Sequence, residues 1–365
     1  MGSIGLLSLS LFTLSGFSSI TTTDYPQYDT LPIQLEQIYA EETIANKPTK
    51  EIPAPPTSYE ISLGKFVSQT YNNCGPAALS MVLSTFGTEV TQKELGDQMR
   101  PYNFPDGGDD DKSVFPEEFV AYAQKYGYKS LYRPNGDLDK LKQFIANDIP
   151  VVVRTWLSPT EDISHYRIIK GYNDETQQFF QDDSYQGKDL TYSYDQVKEL
   201  WQAFNYSYVI VYPSDKEAIV ESILGEDVDK ELAWRNALAK AKEEQKNDPQ
   251  NPYIKLNQAV AYYHLKDYPK AVTVYDQAKD GLPDRILWYQ LEPILAYQKV
   301  GNDNRVFEIA QGIINNGNPG YAELYQIRGE IYLKEGKKDL AKSEFEKALY
   351  YNSNYEPAQK ALENI

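Results

Sequence analysis

The sequence predicts an α+β domain with its helices first and an antiparallel sheet after them, followed by an all-helical domain built from repeats. Between residues 58 and 213 the apolar period changes from helical to strand-like part-way along. From about residue 228 it stays helical, and landmark residues return 34 positions apart, Pro249 with Pro283 and Ala237 with Ala271. A length of 365 residues with 41% hydrophobic content is enough for two cores.

The chain opens on an uncharged apolar run, shorter than the roughly 20 residues that span a bilayer. Residues 1–20 read as the h-region of a secretory signal, or as a plain unstructured end, because no Lys or Arg precedes the run. The signal reading places the protein outside the cytoplasm, secreted or at the cell surface, with no membrane span in the mature chain. Leu14-Ser15-Gly16 leads into Phe17 where a lipobox has its cysteine, which excludes a thioether lipid anchor. Residues 21–57, rich in Thr, Pro and Glu, read as a disordered tether.

In the α+β region, Cys74-Gly75-Pro76 opens a helix on which Leu79, Val82, Leu83 and Phe86 share one face before Gly87 stops it. A second helix starts near Pro116 with Phe119, Ala123 and Tyr126, and a third covers Leu138 to Ala146. Strand-like runs follow at Pro150–Trp156, Tyr166–Gly171, Gln178–Gln181 and Tyr206–Tyr212. Residues 214–227 are assigned to a linker. Over 228–365 the set Ala259, Tyr262, Ala271, Tyr275, Ala278 returns as Gly329, Tyr332, Ala341, Phe345, Ala348, with Tyr325 just before it. Small residues stand where two helices approach, and aromatics where they interlock. The shift of 70 exceeds two periods by two residues, so the unit around Trp288 to Gln311 is stretched.

Composition narrows the chemistry. With 53 Asp+Glu against 36 Lys+Arg, the net charge is −17, which disfavours nucleic acid and anionic membrane as partners. One cysteine, Cys74, rules out an intrachain disulfide and a cysteine-based zinc cluster. Asp106-Gly-Gly-Asp109-Asp110-Asp111 lacks the acid spacing and distal Glu of an EF-hand and reads as a solvated loop, so no metal or cofactor is expected. Asn205-Tyr-Ser207 fits a glycosylation sequon but lies beside a strand-like run and carries no weight.

A thiol is a poor nucleophile near neutral pH until something favours the thiolate, and a helix N-terminus does so through its unpaired N–H groups. Cys74 stands at such a start. Gln69, five residues earlier, is placed to donate to an oxyanion. Of the two histidines, His264 lies in a repeat and belongs to its packing, whereas His165 stands at the start of a strand and suits a general base. Asp182 and Asp183 end the next strand, where an acid would set the imidazole tautomer. Neighbouring strand residues face opposite sides, so only one of the two points inward.

The order glutamine, cysteine at a helix start, histidine on a strand and aspartate on the next strand resembles the papain-like cysteine peptidases. More narrowly, residues 58–213 resemble the family-39, double-glycine or bacteriocin-processing peptidases, through Gln69–Leu83, Pro150–Trp156, His165–Tyr172 and Asp183–Gly187. The last third resembles tetratricopeptide repeats. The resemblance implies a papain-like α+β peptidase domain before an all-α tetratricopeptide solenoid, whose inner surface would hold a protein partner or substrate. It implies Cys74 as nucleophile, His165 as base, Asp183 as orienting acid with Asp182 as the alternative, and Gln69 as oxyanion donor. The implied activity is that of a secreted or surface bacterial cysteine peptidase acting on a peptide or protein. A non-catalytic binding module on the same fold, and a thiol acyltransferase or deamidase, stand as alternatives. Two departures from the processing enzymes are visible: Gln69 precedes Cys74 by five positions where six is common, and Ser184 follows the aspartate where many members have proline.

Overall fold

The computed structural model of the protein describes residues 52–101 and 113–365. The signal-like run, nearly all of the tether and the acidic loop at 106–111 lie outside the described residues. The first domain runs β1 (Ser58–Glu60), α1 (Cys74–Thr85), α2 (Gln92–Met99), α3 (Pro116–Lys125), β2 (Lys129–Arg133), α4 (Leu138–Ala146), β3 (Val151–Ser158), β4 (Glu161–Asn173), β5 (Gln178–Asp183), β6 (Gly187–Ser193), α5 (Tyr194–Gln202) and β7 (Tyr208–Tyr212). The sheet is antiparallel, in the order β2-β7-β3-β4-β5-β6, with β1 beside β4.

Helices mostly precede strands, as expected, with β2 and α5 interleaved. α2 and α5 are each started by a capping box, Thr91 with Glu94 and Ser193 with Gln196, and α5 buries Tyr194, Val197, Leu200 and Trp201 along one side. β4 begins at Glu161, so His165 lies inside the strand opposite Thr155 rather than at its start. The polar run Glu161-Asp162-Ile163-Ser164 gives no strand pattern by itself, and the pairing with β3 makes it one.

Both faces of the sheet are covered, which is why Val151–Val153 and Tyr208–Tyr212 run apolar without alternation. On one face Leu79, Val82 and Leu83 of α1 and Phe119 of α3 pack against Val152, Ile168, Val209 and Val211. On the other, Phe144, Ile145, Val197 and Trp201 meet Val151, Val153, Ile169 and Ile210. Residues 214–227 are not an extended linker: α6 (Glu217–Leu224) buries Val220, Ile223 and Leu224 in that second core.

The helical part comprises α7 (Lys230–Asn247), α8 (Pro252–His264), α9 (Tyr268–Asp276), α10 (Ile286–Tyr289), α11 (Glu292–Lys299), α12 (Asp303–Asn315), α13 (Ala322–Lys334), α14 (Lys338–Tyr351) and α15 (Glu356–Glu363). The stretched unit holds the short α10. A Cβ on Gly329 would stand 2.4 Å from the Phe345 ring, so the absent side chain lets α13 and α14 close on each other. Gly329→Ala is expected to destabilise the protein by about 1–3 kcal/mol through overpacking, read as a lower urea midpoint.

The first helices of the repeats turn toward the α+β domain. Asn257 of α8 donates from Nδ2 to the Gln202 carbonyl at 2.7 Å and accepts the Asn205 N–H at 3.2 Å. Gln290, just before α11, donates to the Ala203 carbonyl at 2.8 Å, and Glu323 of α13 lies 2.8 Å from Arg100. One apolar core runs through both parts, joining Trp156, Leu200 and Phe204 to Trp234, Val260, Tyr289 and Ile294. α8 and α13 are therefore buried nearly all round, and the surface expected to receive a partner is in large part covered by the chain's own α+β domain.

Candidate active site

The segment before α1 sets the cysteine. Asn72 adopts a left-handed conformation at φ 54°, which asparagine tolerates better than most residues, and turns the chain into the helix. Asn73 is the N-cap, but its side chain donates to Thr70 Oγ1 at 2.7 Å and makes no cap bond. The N–H groups of the first turn thus keep their positive end directed toward the helix start, where Cys74 sits half-buried. Gln92 of α2 braces this segment: its Oε1 accepts the Thr70 N–H at 2.8 Å and its Nε2 donates to the Ser68 carbonyl at 2.7 Å.

The sheet sets the imidazole and the acid. Ile168 pairs with Asp182, so the next residue, Asp183, lies across from Arg167 and on the face that Arg167 shares with His165. His165 Nε2 is 2.7 Å from Asp183 Oδ1, and both are almost fully buried. The Cys74 thiol stands close enough to the His165 ring to help raise it. With Nε2 engaged by the acid, Nδ1 is the nitrogen left for sulfur. Asp182 points to the opposite face, where its Oδ1 lies 3.1 Å from Lys170 Nζ and accepts the Asp189 N–H at 2.8 Å. The register therefore separates the two aspartates that the sequence leaves as alternatives.

Asp183 is held on every side. Its Oδ1 also accepts the N–H groups of Tyr185 and Gln186 at 2.8 and 2.9 Å, and its Oδ2 lies 3.1 Å from the Arg167 guanidinium. Burial alone would raise the carboxyl, but the hydrogen bond and charge of His165, with Arg167 and the Gln186 N–H, hold it below the ordinary carboxylate range. For His165, burial opposes the charged ring most strongly; the hydrogen bonds of Asp183 and Cys74 outweigh it and push the ring up to about 9. A ring raised in the fold contributes stability that is fully present below its ordinary value of about 6.5 and lost as pH rises through about 9. Urea unfolding of His165→Gln is expected to lack that component of the pH slope.

Gln69 lies on the other side of the cysteine segment. Its backbone N–H donates to the Ser184 carbonyl at 2.8 Å, and its Oε1 accepts the Ser184 hydroxyl at 2.8 Å. The ring of Tyr185, 66% exposed, stands edge-on to His165 with centroids 6.4 Å apart. The sequence reading missed Gln92, Arg167 and Tyr185. Arg167 was findable, because a strand residue two positions from His165 shares its face; Gln92 had no local signal. His264 lies elsewhere, stacked on Trp234 at 3.9 Å with Nε2 3.2 Å from Glu292 Oε1, as packing within the repeats requires.

Among the described residues no cluster of His, Cys, Asp and Glu could hold a metal ion, and no helix is long and apolar enough to cross a membrane. Residues 63–209, which include Gln69, Cys74, His165 and Asp183, match the family model described as Peptidase_C39 like family, and residues 322–355 match that of the tetratricopeptide repeat. No curated protein matches the chain. Among solved structures, a C39-like peptidase from Bacillus anthracis is 15% identical, with 42% of this chain and 96% of that one covered and a TM-score of 0.36. The peptidase domain of Streptococcus ComA, a bi-functional ABC transporter involved in a quorum-sensing pathway, is 19% identical over 41% and 99% of the two chains, with a TM-score of 0.32. A double glycine motif protease from an AMS/PCAT transporter, solved with its leader peptide, is 14% identical over 44% and 98%, with a TM-score of 0.33.

Proposed function

We propose that this chain, with its C39-like stretch at 63–209 and its tetratricopeptide repeat, is a thiol peptidase that hydrolyses peptide bonds. The carrying observation is the buried pair of His165 and Asp183, 2.7 Å apart, with Cys74 at a helix start near enough to the ring to raise it. His165 takes the thiol proton, and the thiolate attacks the scissile carbonyl. The negative oxygen is met by Gln69 Nε2 and the Cys74 backbone N–H. The imidazolium gives its proton to the leaving amine as the C–N bond breaks, which leaves a thioester on Cys74. Water, deprotonated by His165, then releases the acid and restores the thiol. Asp183 holds the ring's tautomer and supports its charge without taking the proton.

The protonated ring is the acid for the leaving amine, so kcat/KM is expected to decline as pH rises through about 9. A pH-rate profile on a cleaved peptide checks this, and a rate still climbing at pH 10 contradicts it. The repeat match supports binding of a protein, and the docking of the first helices implies that such a partner meets the outer helices. The apolar start at residues 1–20 supports export to the cell surface or medium. The direct test incubates the full chain with a peptide panel and with labelled cell-surface proteins. A binding module is the reading that remains if nothing is cleaved and a thiol-directed probe does not label Cys74.

A further inference from the structure

The residue after the acid is a serine, and its position makes it a working part of the site. Ser184 touches Gln69 at two points. Its carbonyl accepts the Gln69 N–H, and its hydroxyl donates to Gln69 Oε1, each at 2.8 Å. Ser184 is 3% exposed, so no bulk water competes for that hydroxyl. A primary amide has two ends that differ only in which atom donates, and a side chain free to rotate presents its oxygen to the oxyanion as readily as its nitrogen. An oxygen there would repel the developing charge. With Oε1 held by a hydroxyl proton, the Nε2 end is the one left to donate.

Resting on the peptidase reading above, we infer that Ser184 is a positioning residue that fixes the Gln69 amide with its N–H groups toward the oxyanion. The device also ties the donor to the acid. Ser184 directly follows Asp183, so the end of β5 places the acid on the imidazole with one residue and the amide orientation with the next. A proline at 184 would still offer its carbonyl but has no hydroxyl. The five-residue spacing of Gln69 and Cys74 and the serine at 184 are on this view one linked departure.

The test compares wild type, Ser184→Ala, Ser184→Thr, Gln69→Ala and the Ser184→Ala/Gln69→Ala double variant in three assays on the full chain. Removing one oxyanion donor outright lowers kcat by roughly 100–1,000-fold, and loosening it is expected to cost about 10-fold. Ser184→Ala should therefore lower kcat about 10-fold with KM little changed, Ser184→Thr should recover most of it, and the double variant should match Gln69→Ala. Acetylation of Cys74 by p-nitrophenyl acetate, followed as p-nitrophenolate release and a protein-bound acetyl group, develops the same oxyanion and should show the same pattern. Alkylation of Cys74 by iodoacetamide develops none and should be equal in wild type and Ser184→Ala. Ser184→Ala acetylating at the wild-type rate, or losing alkylation in parallel, overturns the inference. The peptidase reading fails separately, when no peptide is cleaved although Cys74 still takes up the acetyl group. If Cys74 takes up no acetyl group even in wild type, both fall.

Discussion

Cys74→Ala is expected to abolish peptide hydrolysis, lowering kcat by at least about 10⁴-fold. The magnitude follows from the composition as much as from the site. The chain has one thiol, so no neighbouring cysteine can substitute, and a water placed in the vacated space meets a ring whose proton is held by the acid on one side only. His165→Ala is expected to fall nearly as far, and Cys74→Ala/His165→Ala no further than either alone, because the two act as one unit. Wild type should be alkylated by iodoacetamide faster than His165→Ala, since the ring is the group that takes the thiol proton. A Cys74→Ala protein that keeps cleaving the same peptides at the same sites would end the peptidase reading.

Arg100→Ala is expected to destabilise the protein by about 3–5 kcal/mol, the loss typical of breaking a buried ion cluster at one partner. Arg100 is 4% exposed and lies 2.7 Å from Glu118 of α3 and 2.8 Å from Glu323 of α13, with its guanidinium 5.5 Å over the Phe115 ring. It thus joins the α+β domain to the repeats. Burial raises Glu118 even with Arg100 present to oppose it, and Glu323 raises it further. Without the arginine the buried Glu323 and the half-buried Glu118 are left without their shared cation. An acid raised in the fold, as Glu118 is, binds its proton more tightly there than when unfolded, so the loss in Arg100→Ala should be larger at pH 8 than at pH 5. The variant Arg100→Met/Glu118→Gln/Glu323→Gln, which removes every charge, should recover most of the stability. Urea midpoints of the three proteins at both pH values check this. Equal losses at pH 5 and 8 would show that the cluster acts only by packing.

Much of the fold was legible because its signals are local. α1 shows an apolar face, a Gly-Pro start and a Gly stop within fourteen positions, from Cys74 to Gly87. The repeat landmarks recur at fixed intervals, since each unit must bury the same face on its neighbour. What was missed has non-local causes. β1 and β2 are held by partners distant in sequence, β1 through Tyr59 opposite Tyr172 and β2 through Ser130 opposite Val211. The helix at 217–224, taken for part of a linker, has its apolar residues Val220, Ile223 and Leu224 in the sequence, but that they are buried in the sheet's second core is seen only in the fold.

For the site, composition and local context were enough to bring Cys74, His165 and Gln69 forward. A chain with one thiol and two imidazoles leaves little choice, and residue type and chain order are properties of the sequence itself. Three matters were decided only in three dimensions. Which aspartate faces the imidazole depends on the register of β5 against β4, because a slip of one residue turns every side chain to the other face. Which end of the Gln69 amide is free depends on Ser184, 115 positions away. Whether the inner face of the repeats is open depends on a core shared with the α+β domain. Sequence determines which groups are present and how they are ordered; direction and occupancy come from contacts between distant segments, which no local pattern encodes.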